Sequence, residues 1–283
     1  MKRRVLMAAA CLLVGCSSPD EAADTGDTLA AGTSSSTSSS SSTTSSTSTT
    51  TTTTIPPTTT TTPAPQFLGE EEIGTTVEGR PITAFHRGTP GGVVILVVGV
   101  IHGNEDDGLA IIEQLRTMPM PEGYDLWLMP AINPDGYANQ ARGNSNGVDL
   151  NRNFPHDWTP IAEPGEWEYS GTEGASEPET QAFIDFANRV NPALTIWYHQ
   201  DLHTVSPSSG RDGPLRRHYA ERTGLDHTSI TGGTYTGVAA TWVRRAVPRA
   251  MSFIVELGPT LSAEEAVLHA TVVLEVAQMV EAS

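Results

Sequence analysis

Two imidazoles and two carboxylates stand where apolar runs of the chain stop. His102 and Glu105 follow VVILVVGVI, His199 closes LTIWY, and Glu256 closes MSFIV. Imidazole nitrogen and carboxylate oxygen bind zinc at about 2.0–2.2 Å, and a catalytic zinc takes three protein ligands and keeps one position for water. A further carboxylate off the metal is then free to move a proton. Such a set suits hydrolysis of an amide by a zinc peptidase or amidase. His-x-x-Glu is a weak pattern alone; its place between a buried run and a helical pattern gives it weight. The third donor is open between His199, at a strand end like the others, and His203, four residues on. His199 is the better placed of the two. His86, His156, His218, His227 and His269 lack metal-like spacing and are expected at the surface.

The elements that must position these groups follow from hydrophobic period. Val93–Val98 is continuously apolar, as strands buried on both faces are, Met251–Val255 reads as another buried strand, and Pro81–Arg87, Leu126–Met129 and Leu194–Tyr198 also read as strands. Asp107–Arg116, Glu177–Val190, Pro214–Arg222 and Ser262 to about Glu281 read as helices. Ser176 with Glu179, and Ser262 with Glu265, have the spacing of capping boxes. Strands alternating with helices predict an α/β three-layer sandwich around a mixed, largely parallel sheet. In such sheets ligands bind beyond the carboxyl ends of the strands, where all four groups stand.

The N-terminal part has a different composition. MKRR, a short apolar stretch and Leu13-Val14-Gly15-Cys16 are expected to form a lipoprotein export signal over residues 1–15, cut before a lipidated Cys16. With Cys11 removed and Cys16 acylated, the mature chain has no disulfide and no cysteine ligand. Residues 16–65, dominated by Ser and Thr with late prolines, are expected to be a disordered tether. Its r.m.s. reach is roughly 40 Å. Residues 66–283 are of one-domain size. The formal charge of −17, about −20 once Lys2, Arg3 and Arg4 leave with the signal, argues against nucleic acid or anionic lipid as a partner. The expected place is the outer face of a bacterial cytoplasmic membrane, as a monomer.

The motifs HGNE (102–105), NPDG (133–136), Arg142, GVDLNRNFP (147–155), SEPET (176–180), YHQ (198–200) and IVEL (254–257) together resemble the zinc carboxypeptidase family. NPDG, VDLNRNF and SEPET are similar to its murein peptide amidase subgroup, which cuts cell-wall peptides. The resemblance implies one zinc per domain on His102, Glu105 and His199. It implies Arg142 at the scissile carbonyl, Asn151 and Arg152 on the substrate carboxylate, and Glu256 as general base and acid. The family's substrate-capping tyrosine has no counterpart at its usual spacing, where Thr228 stands; Tyr235 is the available substitute, and it also lies near the equivalent of the specificity-pocket floor. The expected substrate is a peptide or muropeptide with a free carboxylate beside the cut bond, or alternatively an ordinary peptide trimmed at the surface. A desuccinylase-like deacylase using His203, suggested by Asp201-Leu202-His203-Thr204, and a non-catalytic wall-binding module are the other readings.

Overall fold

A computed structural model describes residues 67–280. The export signal, Cys16 and the Ser/Thr tract fall outside the described residues. In chain order the domain runs β1 (Phe67–Thr75), β2 (Pro81–Gly88), β3 (Val93–Val100), α1 (Gly108–Thr117), β4 (Tyr124–Ala131), α2 (Pro134–Asn139), a 3-10 turn (Leu150–Arg152), α3 (Pro178–Val190), β5 (Leu194–Gln200), α4 (Gly213–Thr223), α5 (Ala239–Ala246), β6 (Met251–Leu257) and α6 (Ala263–Val280). The sheet has six strands in the order β1-β2-β4-β3-β5-β6. β4, β3, β5 and β6 are parallel neighbours, and β1 and β2 add an antiparallel edge.

Strand residues alternate between two apolar layers, because successive side chains point to opposite faces. Ile95, Val97, Leu194, Ile196, Tyr198, Phe253 and Val255 pack toward buried residues of α1, α4 and α6. Leu96, Val98, Trp127 and Trp197 pack on the other face with Phe183 and Phe186 of α3 and Trp242 and Val243 of α5. This is the expected three-layer α/β sandwich. Ser262 and Glu265 form their capping box: Glu265 N donates to Ser262 Oγ at 3.2 Å and Ser262 N to Glu265 Oε2 at 2.8 Å. Ser176 does not cap α3. Its hydroxyl is taken by Asn153 Nδ2 and Glu177 Oε1, so Glu177 holds the cap position and Pro178 starts the helix with φ already set.

Of the histidines expected at the surface, His269 is the one whose place differs. His269 is buried, not at the surface, because its Nδ1 is the terminus of a buried chain with Tyr219 and Tyr198, each link 2.8 Å. His86 is half-buried, stacked on Trp127 and bonded to Asp125.

Candidate active site

The chain reverses just past β3, and glycines make the reversal compact. A Cβ on Gly103 would fall 1.9 Å from the Gly136 carbonyl carbon, so HGNE and NPDG touch backbone to backbone. Asn133 ties the two together. Its amide donates to Ile101 O at 3.1 Å and Arg142 O at 3.3 Å, while its oxygen caps α2 at Gly136 N. One buried side chain therefore sets the residue before His102 and the backbone of Arg142. Asp135 of the same motif anchors the β1–β2 turn through Thr76 Oγ1 and Glu78 N.

His102, Glu105 and His199 converge. Glu105 Oε2 lies 2.9 Å from His102 Nδ1 and 2.8 Å from His199 Nδ1, and the two Nδ1 atoms are 3.1 Å apart. Bonds of about 2.1 Å put neighbouring donors of a tetrahedral ion about 3.4 Å apart, so small adjustments let one zinc meet all three. The chemistry of the set fits zinc as well: two imidazoles and a carboxylate, all buried. His203 is exposed and outside the cluster.

The supporting contacts fix each ring. His102 Nε2 lies 2.9 Å from Asp149 Oδ1, a carboxylate that orients the imidazole and makes it a stronger donor to a cation. His199 Nε2 lies 3.3 Å from the Asn151 amide, whose oxygen accepts from Ala239 N at 3.0 Å. Asp149 also accepts from Arg142 Nε at 2.9 Å and from Asn151 N at 2.9 Å. Burial alone would push the Asp149 carboxyl up, but His102, Arg142 and Arg152 together hold it well below the usual carboxylate range. Burial likewise opposes ionisation of Glu105, and hydrogen bonds from His102 and His199 overcome it. Arg142 Nη1 reaches Glu105 Oε1 at 3.0 Å, and its guanidinium lies over Trp167.

Glu256 differs from every other acid here. His199 and Glu256 are register partners on parallel β5 and β6, so the carboxyl stands beside the donors. Among the described residues no side-chain hydrogen bond or ion pair holds it. Burial, with the nearby Glu105 charge second, raises its pKa to about 7. An unpaired half-buried carboxyl near neutrality is suited to taking and returning a proton.

A cavity of about 450 Å³ joins these groups to Asn151, Arg152 and Tyr235. Arg152 is buried, donates to Asn151 O at 3.0 Å, and is paired with Glu168 from the loop before α3. Tyr235 lies over the same guanidinium at 5.3 Å and is exposed. All eight residues expected at the site, those named above with His102, Glu105, Arg142, His199 and Glu256, thus line one cavity. Asp149, Trp167, Glu168, Arg216 and Arg244 also belong to it or support it and were not anticipated. Asp149 alone carried a sequence signal, inside GVDLNRNFP.

Residues 58–208 match the family model described as zinc carboxypeptidase. The chain belongs to that family. It is 31% identical over 149 residues to murein peptide amidase A of Escherichia coli strain K12, spanning 48% of this chain and 61% of that protein. It is 40% identical over 131 residues to carboxypeptidase D of Mus musculus, covering 39% of this chain and 9% of that much longer protein. The match thus covers less than two thirds of these curated relatives. Among solved structures, the murein-tripeptide amidase of E. coli O157 superposes with a TM-score of 0.58 at 25% identity, covering 75% of this chain and 92% of that one. Carboxypeptidase A of Helicoverpa armigera gives 0.67 at 18% identity, covering 77% and 69%, a likeness of fold.

Proposed function

We propose that this protein is a zinc-dependent hydrolase that splits an amide next to a free carboxylate, acting on cell-wall peptides. The observation that carries the reading is the unpaired Glu256 beside three convergent donors, in one cavity with Asn151 and Arg152. Likeness to a murein peptide amidase supports the wall peptide as substrate. The lipidated Cys16 and its tether belong to the same reading, since they would hold the domain outside the membrane within reach of the wall.

His102, Glu105 and His199 would hold the zinc, which when bound supplies Lewis acidity and lowers the pKa of water toward about 7. Arg152, a planar fork, would grip the free carboxylate; Glu168 now takes its place, and Tyr235 would close over it. Gripping one end of the substrate sets the cut bond between Arg142 and Glu256. Arg142, fixed by Asp149, would donate to the carbonyl oxygen as negative charge develops there, a type of contribution worth roughly 3–4 kcal/mol. Glu256 would take the proton of the attacking water and deliver it to the leaving amine.

Purified protein is to be incubated with a mixed muropeptide digest and with N-blocked dipeptides, with and without chelator, and the products weighed by mass spectrometry. Chelator-sensitive release of a residue bearing a free carboxylate is expected. A zinc-loaded protein that leaves both sets intact would contradict the reading; cleavage of dipeptides alone would move it to a surface carboxypeptidase.

A further inference from the structure

The chain has 33 acidic residues against 16 basic ones, yet one stretch reverses the balance: residues 204–255 hold seven arginines and three acids. Elsewhere the solvent-accessible arginines are neutralised. Arg80 is paired with Glu78, Arg116 with Glu113 and Arg189 with Glu71. Within the basic stretch only Arg222, on Glu275, follows that rule at the surface. Arg211, Arg217, Arg245 and Arg249 are exposed, and among the described residues no carboxylate lies within ion-pair distance of any of them.

Three of these four are gathered by the fold. Arg211 Nη1 donates to Arg249 O at 3.2 Å, which sets the loop before α4 against the segment after α5. Arg245 is on the last turn of α5, four residues before Arg249. Its neighbour Arg244 turns inward to Ser252 O at 2.7 Å, and Arg245 is left in solvent. Like charges gathered on a surface repel, and an anion from outside relieves that repulsion where no acid of the domain does. β6 starts at Met251, just after the cluster, and Glu256 lies five residues farther on, roughly 17 Å along the strand. The cluster therefore stands at the end of β6 opposite the metal donors. No exposed large apolar side chain belongs to α5 or to residues 208–217, so the cluster offers nothing to insert into a bilayer or to stack on a base.

We infer that Arg211, Arg245 and Arg249 form a docking surface for a flexible chain that bears repeated phosphates. A guanidinium fork matches two phosphate oxygens at once, and successive phosphates on one chain can meet successive arginines. The rest of the domain is acidic and repels any polyanion, with a range of about 8 Å at physiological salt. A thin chain can touch the cluster and stay clear of those acids, whereas a flat anionic membrane brings its charge against both. Docking at this end of β6 leaves the cavity at the other end open, so the surface would hold the domain on a polyanion while the cavity works. The inference stands apart from the hydrolase reading, since it uses none of the cavity's residues.

The test titrates the purified chain into labelled long-chain inorganic polyphosphate and follows anisotropy over a range of salt concentrations. Binding is expected, and the logarithm of its constant should fall against the logarithm of salt with a slope of about −2, as three contacts to a single strand require. Replacing Arg211, Arg245 and Arg249 together by glutamine should weaken binding roughly ten-fold or more at low salt, with melting temperature unchanged. The control is Arg116→Gln with Arg189→Gln, which removes two exposed arginines that already have acids and should leave binding within about two-fold. No binding by the unaltered chain, unchanged binding by a folded triple variant, or an equal loss in the control would each overturn the inference. Tighter binding to phosphatidylglycerol vesicles or to a single-stranded oligonucleotide than to polyphosphate would also overturn it, in favour of a membrane or a nucleic acid.

Discussion

Neighbouring residues on the same strands serve two different regions of the molecule. Tyr198 and Val255 point into the layer under α4 and α6, while His199 and Glu256, one position on, point into the cavity. The first region is sealed: Tyr198, Tyr219 and His269 satisfy one another, and burial keeps the tyrosines neutral and pushes His269 down to about 4. In the second, Glu256 keeps unmatched charge facing a cavity. A period of two residues thus separates stability from chemistry across one sheet, and unmatched charge marks the chemical side.

Removing Glu256 should produce the largest effect. Glu256→Gln should lower kcat by roughly 10²–10⁴, with bound zinc and melting temperature near those of the unaltered protein. Activity retained within ten-fold would mean that another group moves the proton.

The sealed region should respond to acid instead. His269 has a folded pKa below its unfolded value of about 6.5, so the unfolded chain binds more protons between that value and about 4. Its contribution to stability is complete above the unfolded pKa and is lost as pH falls toward 4, amounting to about 3 kcal/mol. Urea midpoints at pH 7 and pH 4.5 should therefore separate, and His269→Gln should narrow the gap. An equally wide gap in that variant would remove His269 from the account.

Asp149 tests whether the cavity's order comes from its supports. Asp149→Asn should weaken zinc affinity by roughly 10–100-fold in a chelator competition. Unchanged affinity would make Asp149 a partner of Arg142 only. Glu168→Gln should have the smallest effect. Freeing Arg152 from a rim ion pair is worth about 0–1 kcal/mol, so KM should fall no more than about five-fold with kcat little changed. A rise in KM would mean that Glu168 positions the arginine.

Most of this division was legible because strand ends announce themselves. An apolar run interrupted by a coordinating side chain, as at His199 and Glu256, reveals both the strand and the site. β1 was not read, since FLGEEEIGT is too polar for a core strand and is in fact a half-exposed edge. α2 was hidden by the turn signals of its own sequence, PDGYAN, and is held in place by Asn133. α5 was missed as a short segment after a glycine-rich stretch, and with it Arg245. That arginine becomes informative only when folding sets Arg211 against Arg249 and leaves all three without an acid, a long-range fact with no local signature. His269 was misplaced for a similar reason: its partners Tyr219 and Tyr198 lie on α4 and β5, 50 residues or more away in sequence.

His199, with His102 and Glu105, is expected to hold the metal. Zinc per chain, measured by mass spectrometry after dialysis, should be close to one in the unaltered protein and in His203→Ala. It should fall close to zero in His199→Ala. Zinc kept by His199→Ala and lost by His203→Ala would contradict the account and favour the deacylase-like reading.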